Sequence, residues 1–249
     1  MSGHSKWSSI KHKKGAADAK RGKLFSKLAR AITVAARDGG GDTTGNSALA
    51  TAVQKAREAS MPKDKIHKAI DTGTGAGSDG ASIERIIYEG YGPAGVAVMV
   101  EALTDNRNRA SAEIRHAFSS HGGSLGEPGS VAWIFEKKGA VTVDADRYGE
   151  DDLMPAIDAG AEDVREEDGK WTVLSEPTDL TAVREALEAA GVEVSAATIA
   201  TEPKSTVELK GHEAERLLKL LDALDDQDDV DEVFANFDIP DQVLEKLAA

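Results

Sequence analysis

Residues 140–200 read AVTVDADRYGEDDLMPAIDAGAEDVREEDGKWTVLSEPTDLTAVREALEAAGVEVSAATIA, and the order of apolar runs in this stretch decides the fold. Ala140–Val143 predicts a strand and Asp151–Ala159 a helix. Glu162–Arg165 and Trp171–Leu174 predict a hairpin about Asp168–Gly169, Leu180–Ala190 a second helix, and Val192–Ala200 a closing strand. Strand, helix, strand, strand, helix, strand is the split βαβ order of a ferredoxin-like domain. The segment is complete by itself.

The flanks on either side are not. Upstream, Gly95–Leu103 (GVAVMVEAL) predicts a strand. Asp105 or Asn106 then caps a helix to Ser120, Gly122–Gly129 forms a loop, and Val131–Phe135 is expected to return as a strand. Downstream come Val207–Leu209, then a helix over Glu213–Leu224 with Leu217, Leu220, Leu221 and Leu224 on one side, then Val230–Phe237. Neither flank has a sheet to complete alone, and together they supply one. The expectation is a discontinuous α/β domain, residues 81–136 plus 205–249, with residues 137–204 inserted in it as the second α/β domain.

Residues 1–78 have a different character. Leu24, Leu28, Ala31, Ile32 and Ala35 recur at helical spacing within a helix from about Ala17 to Arg37. Ser47–Ala59 predicts a second helix with Asn46 as its cap, and Pro62 opens a short third one that turns Ile66, Ala69 and Ile70 inward. Thr72–Gly80 (TGTGAGSDG) lacks the strand and spacing of a phosphate-cradling loop and is read as a linker. The fold class is therefore multidomain α and α+β, an N-terminal three-helix domain followed by two ferredoxin-like α/β domains, one inserted in the other.

Charge divides the chain at the same place. The 249 residues carry a formal net charge of −14. Residues 1–70 hold 15 Lys plus Arg and 5 Asp plus Glu, a net of +10, so the remainder carries −24. A polyanion is attracted to the first part and repelled by the second. In the first helix Lys20, Lys23, Lys27, Arg30 and Arg37 fall within an arc of roughly 100° beside the apolar face. Lys6, Lys11, His12, Lys13 and Lys14 precede it in a polar leader, where Trp7 is placed either to stack on an unpaired base or to plug the leader onto the bundle. Arg107 and Arg109, in the TDNRNR run at a strand end, are read either as a second phosphate contact or as partners of local carboxylates. Trp133 and Trp171 are expected to be core or half-buried.

Several function classes drop out. There is no cysteine, so disulfides, thiolate nucleophiles and Cys-ligated metals are excluded. The six histidines form no close ligand set, and neither a GxSxG nor a P-loop is present. No catalysis, metal or cofactor is expected. The basic polar leader is no signal sequence, and no apolar run is long enough for a membrane helix, so a cytoplasmic, monomeric protein without a membrane partner is expected.

Ser2–Gly3–His4–Ser5–Lys6–Trp7, Ile10–Lys11–His12–Lys13–Lys14, Glu89–Gly90–Tyr91–Gly92–Pro93 and Glu101–Arg109 resemble the signatures of the YebC/PmpR family. So do Gly122–Gly123, Leu125–Gly126, Gly129–Ser130–Val131 and Trp133. Ala94 stands where that family usually has a second glycine, and Ala110 where a threonine is common. The resemblance covers essentially the whole chain and implies an N-terminal helical domain with two α/β domains. It implies a probable transcriptional regulator that binds DNA. Other relatives, including the mitochondrial translational activator of cytochrome oxidase, imply a ribosome-associated factor that assists translation, in bacteria particularly of proline-rich stretches.

Nucleic acid, as DNA or ribosomal RNA, is thus the expected partner, with the translating ribosome as its possible setting and a structural adaptor as the third reading. The absence of a clear recognition-helix signature favours RNA on physical grounds, whereas the family's usual description favours DNA.

Overall fold

A computed structural model describes residues 18–75, 83–167 and 169–240. They fall into two compact units, one drawn from residues 13–132, 209–235 and 239 onward, the other from residues 133–208 and 236–238, as far as each is described. The leader before residue 18 and most of the Thr72–Gly80 linker lie outside the described residues.

The first unit begins with three helices, α1 (Asp18–Gly39), α2 (Ser47–Glu58) and α3 (Lys63–Gly73). Their core is Ile32, Ala35, Leu49, Val53, Ala56, Met61 and Ile66 with their neighbours. Asn46 ties the corner. Its side-chain oxygen accepts the N–H of Leu49 at 3.0 Å, and its amide donates to the carbonyls of Ala35 and Gly40, each at 2.8 Å. One buried side chain thereby caps α2 and satisfies carbonyls at the end of α1.

The same unit carries a four-stranded antiparallel sheet in the order β3, β1, β2, β9: β1 (Glu84–Tyr91), β2 (Ala97–Thr104), β3 (Ser124–Leu125) and β9 (Val230–Ala235). Every residue of β2 is buried. A strand covered on both faces reads as a continuous apolar run, which is why AVMVEALT shows no alternation. Helix α4 (Arg107–Ser120) packs on β1 and β2, and α7 (Gly211–Asp225) packs on β9 and on α4. Leu217, Leu220, Leu221 and Leu224 of α7 are wholly buried. Helix α1 packs against β2 and β9.

The other unit holds β4 (Phe135–Asp144), α5 (Met154–Asp158), β5 (Ala161–Glu167), β6 (Lys170–Ser175), α6 (Leu180–Ala189) and β7 (Val194–Pro203). Its sheet order, β5, β6, β4, β7 with every pair antiparallel, is the ferredoxin-like arrangement. Val141, Val143, Leu153, Val173, Val183 and Leu187 fill the space under the two helices. A separate parallel pair joins β8 (Val207–Glu208) to β10 (Phe237–Asp238).

The structure departs locally from these expectations. Strand β1 had no counterpart in the sequence reading, because ERIIYEGY mixes charge, glycine and exposed apolar residues instead of alternating. Gly90 in this strand is required by packing, since a Cβ there would lie 2.8 Å from the Phe118 ring and 2.7 Å from the Ser124 carbonyl.

Val131–Phe135 is not a strand. Ala132–Ile134 is a 3₁₀ turn and the strand starts only at Phe135. The cause is Glu89, whose buried carboxylate accepts the N–H groups of Gly129, Val131 and Ala132 at 2.6, 2.7 and 2.7 Å. Burial pushes this carboxyl up, but the three donors outweigh it and hold it below its ordinary range. Trp133, on that turn, is 67% exposed instead of core. Trp171 is half-buried and donates to the Tyr148 carbonyl.

The expected helix Asp151–Ala159 is a 3₁₀ turn, Glu150–Leu153, followed by the five residues of α5, because Pro155 has no N–H to continue one ladder through. The expected strand Val230–Phe237 is split at Asn236, whose backbone carbonyl accepts from Val207 and whose side chain donates to the Ser205 carbonyl.

Ala94, in the turn between β1 and β2, has φ +58° and ψ +16°, the left-handed region. An L-residue with a Cβ is strained there by about 1 kcal/mol, which glycine avoids at some cost in unfolded-chain entropy. Ala94→Gly is expected to raise the unfolding free energy by about 0.5 kcal/mol, read as a shift of the urea midpoint at unchanged m-value. A fall in the midpoint would refute the strain.

Candidate nucleic-acid interface

Helix α1 offers two cationic edges nearly opposite each other. At about 100° per residue, Lys23, Lys27 and Arg30 cluster on one side and Arg21 with Phe25 lie roughly 170° around the cylinder. The two edges meet different surroundings.

The expected stripe faces the acidic turn after α7. Lys23 pairs with Asp228 at 3.2 Å, and Lys27 donates to the Asp225 carbonyl. Arg30 donates to the Leu103 and Asp228 carbonyls at 3.1 and 2.8 Å and to the Asp229 carboxylate at 2.9 Å. Asp229 is 2% exposed. It also takes the guanidinium of Arg109, with contacts of 2.8 to 3.0 Å, and the hydroxyl of Thr104 at 2.9 Å. A carboxylate removed from water needs such donors on both oxygens, and here they come from α1, β2 and α4.

The TDNRNR loop is accounted for in the same way. Asn106 caps α4 by accepting the N–H of Arg109 at 3.1 Å. Arg109 also donates to Asp105 at 2.7 Å, and its hydrogen bonds to the Asp105 and Asp229 carboxylates raise its pKa above the ordinary range. Arg107 pairs with Glu84 at 2.9 Å. So Lys23, Arg30, Arg107 and Arg109 each meet a carboxylate of the same chain, and Lys27 a carbonyl. Lys6, Trp7, Lys11, His12, Lys13 and Lys14 lie outside the described residues; Lys20 lies in α1, its side chain outside them.

One further pair joins α2 to the sheet. Lys55 pairs with Glu232, beside Asp231. Burial, then the neighbouring Glu232 charge, pushes the Asp231 carboxyl up to about 6, with Glu101 adding to the rise and Lys55 and Arg85 opposing it.

The opposite edge of α1 was missed in the sequence. There α1 and α3 form a groove of about 360 Å³ lined by Gly22, Phe25, Ser26, Ala29, Thr33, Met61, Lys65, Lys68, Ala69 and Thr72. Small residues keep it open, and the Thr33 hydroxyl bridges to the Ala69 carbonyl at 3.1 Å. Half-buried Phe25 has the Arg21 guanidinium 5.7 Å and the Lys65 ammonium 5.4 Å from its ring centre. Arg21, Lys65 and Lys68 are exposed, and within the described residues none of them pairs with a carboxylate. The only sequence signal was the i, i+4 spacing of Arg21 and Phe25 and the i, i+3 spacing of Lys65 and Lys68. Nothing in it says that the two helices bring these pairs together.

Among the described residues no group of three or more histidines and carboxylates could hold a metal, and no helix is long and apolar enough to cross a membrane. His121 contacts the Ala117 carbonyl through Nδ1, and His116 faces Ser120.

Residues 5–76 match the model of the TACO1/YebC protein N-terminal domain, and residues 83–237 that of the TACO1/YebC second and third domain. The chain is 59% identical over 249 residues to a probable transcriptional regulatory protein of Rubrobacter xylanophilus, and 54% identical over 250 residues to one of Syntrophus aciditrophicus, with all of each chain covered. Among solved structures it is similar to the conserved hypothetical protein Aq1575 from Aquifex aeolicus, with a TM-score of 0.77 and 47% identity over 90% of this chain and 92% of that one.

Two stability outcomes follow from the carboxylates. Asp229→Ala leaves Arg30, Arg109 and Thr104 without their shared acceptor, and is expected to cost about 2–4 kcal/mol in urea unfolding; a loss below about 1 kcal/mol would mean that the network is dispensable. Asp231 binds its proton more tightly folded than unfolded, so its stabilisation is complete below about pH 4 and lost as pH rises through about 6. Asp231→Asn is therefore expected to stabilise the protein by about 1–3 kcal/mol at pH 7, the advantage vanishing toward pH 4. A pH-independent difference would contradict this.

Proposed function

Because the chain belongs to the TACO1/YebC family, whose relatives are named as regulatory proteins, we propose that it is a non-enzymatic, cytoplasmic regulator of gene expression that binds nucleic acid through its N-terminal helical domain. The observation that carries this is the edge of α1 and α3 where Arg21, Lys65 and Lys68 stand exposed and, among the described residues, without a carboxylate partner, in a chain whose net charge is −14. Cations left unneutralised in an acidic protein are available to a phosphate backbone, and binding them releases the counterions condensed on the polyanion. The leader residues Lys6, Lys11, Lys13 and Lys14 extend the same basic segment and are proposed as further contacts, with Trp7 and His12 among them.

Between the two nucleic acids, the geometry of α1 favours RNA, including ribosomal RNA in a translating ribosome. One edge of the helix is engaged by the Asp225–Asp229 turn and another is packed in the bundle core, so α1 has no broad free face to fill a major groove. The relatives' name, probable transcriptional regulatory protein, keeps DNA as the other reading.

The test is a titration of labelled RNA and DNA oligonucleotides across a salt series. Replacing Arg21, Lys65 and Lys68 together by alanine is expected to weaken binding at least tenfold and to reduce the slope of log K against log salt by about 2. Lys23→Ala with Lys27→Ala should do much less, since those side chains are already engaged by the Asp225–Asp228 turn. Unchanged affinity and slope in the triple variant would refute the assignment of this edge.

A further inference from the structure

We propose that the α1–α3 groove is a seat for one unpaired nucleobase, with Phe25 as its stacking platform and Arg21, Lys65 and Lys68 as the clamp on the flanking phosphates. This rests on the nucleic-acid reading above and narrows it to a single-stranded segment.

The groove has the parts such a seat requires. Its volume of about 360 Å³ lies in the range of small-ligand sites. Phe25 is partly buried by the bundle core yet lines the groove, so the ring is held by packing while part of it stays open. An aromatic ring in this position accepts any base, because every base offers a π-face. The cations stand back from the ring, at 5.4 Å for Lys65 and 5.7 Å for Arg21, weak cation–π distances from which long side chains swing outward at little cost. Gly22 and Ser26, both small, lie along the same edge. Thr33 and Thr72 stand at the wall, their hydroxyls donating to the Ala69 and Lys68 carbonyls. A duplex keeps its bases stacked inside and cannot reach the ring, so its use of the groove is limited to phosphates.

The experiment uses the full chain with a single-stranded RNA oligonucleotide carrying 2-aminopurine, its 2′-deoxy equivalent, and a duplex of the same sequence. Wild type is expected to quench the 2-aminopurine on binding either single strand and to bind the duplex more weakly. Phe25→Leu, an apolar replacement chosen to keep the bundle packed, should weaken single-strand binding about 5- to 100-fold, the range that stacking one base contributes. Its salt slope and duplex affinity should be unchanged, since no charge is altered. Phe25→Tyr should restore both affinity and quenching. A preference for RNA over the deoxy strand with the same Phe25 dependence identifies RNA as the source of the base.

If wild type binds with a steep salt slope but shows no quenching, or Phe25→Leu binds the single strand as wild type does, the base seat is overturned and the nucleic-acid reading survives. If wild type binds neither strand nor duplex, both fall. The quenching arm needs only wild type, so the outcome holds even where Phe25→Leu is destabilised.

Discussion

The Asp229 carboxylate is the constraint on which the first unit depends. It is withdrawn from water and satisfied by Arg30 from the helical bundle, Arg109 from α4 and Thr104 from the end of β2. A buried anion has to be surrounded by donors, so the three elements that supply them must converge on one point. The backbone enforces the same convergence, because the carbonyl of Asp229 accepts the N–H of Leu103 while the carbonyl of Leu103 accepts from Arg30. Helix, strand end and turn are thereby joined through one residue.

This arrangement sets the electrostatics of the helical domain. The turn that brings Asp229 inward also brings Asp225 and Asp228 alongside α1, where they take up Lys27 and Lys23. Cations on that edge are engaged within the protein, whereas Arg21, Lys65 and Lys68 on the far edge are exposed and, among the described residues, meet no carboxylate. The basic character visible in composition is thus redistributed by folding from a stripe along one helix to a groove between two.

Much of the fold was legible in the residues. The six alternating elements between Ala140 and Ala200 announce a ferredoxin-like unit because each helix and strand carries its own period, and Asn46 and Asn106 cap helices because a short side-chain oxygen before an apolar run has few other uses. Illegible were the features that rest on distant partners. Strand β1 exists because it pairs with the fully buried β2, and the chain at Val131 and Ala132 leaves the ladder because Glu89, some 40 positions earlier, claims their N–H groups. Phe25 carried no signal as a site residue, since its meaning comes from Lys65 on another helix.

Taken alone, the order of residues determined the division of charge, the lack of thiol chemistry, the helical and strand periods, and the signatures that resemble a known family, all properties carried by composition or by neighbours within a few positions. Tertiary structure decided which cations are spent internally and which remain available. That choice turns on carboxylates such as Asp229, 199 residues from Arg30, and charge pairing acts over a few ångströms of space, a distance that chain position does not encode.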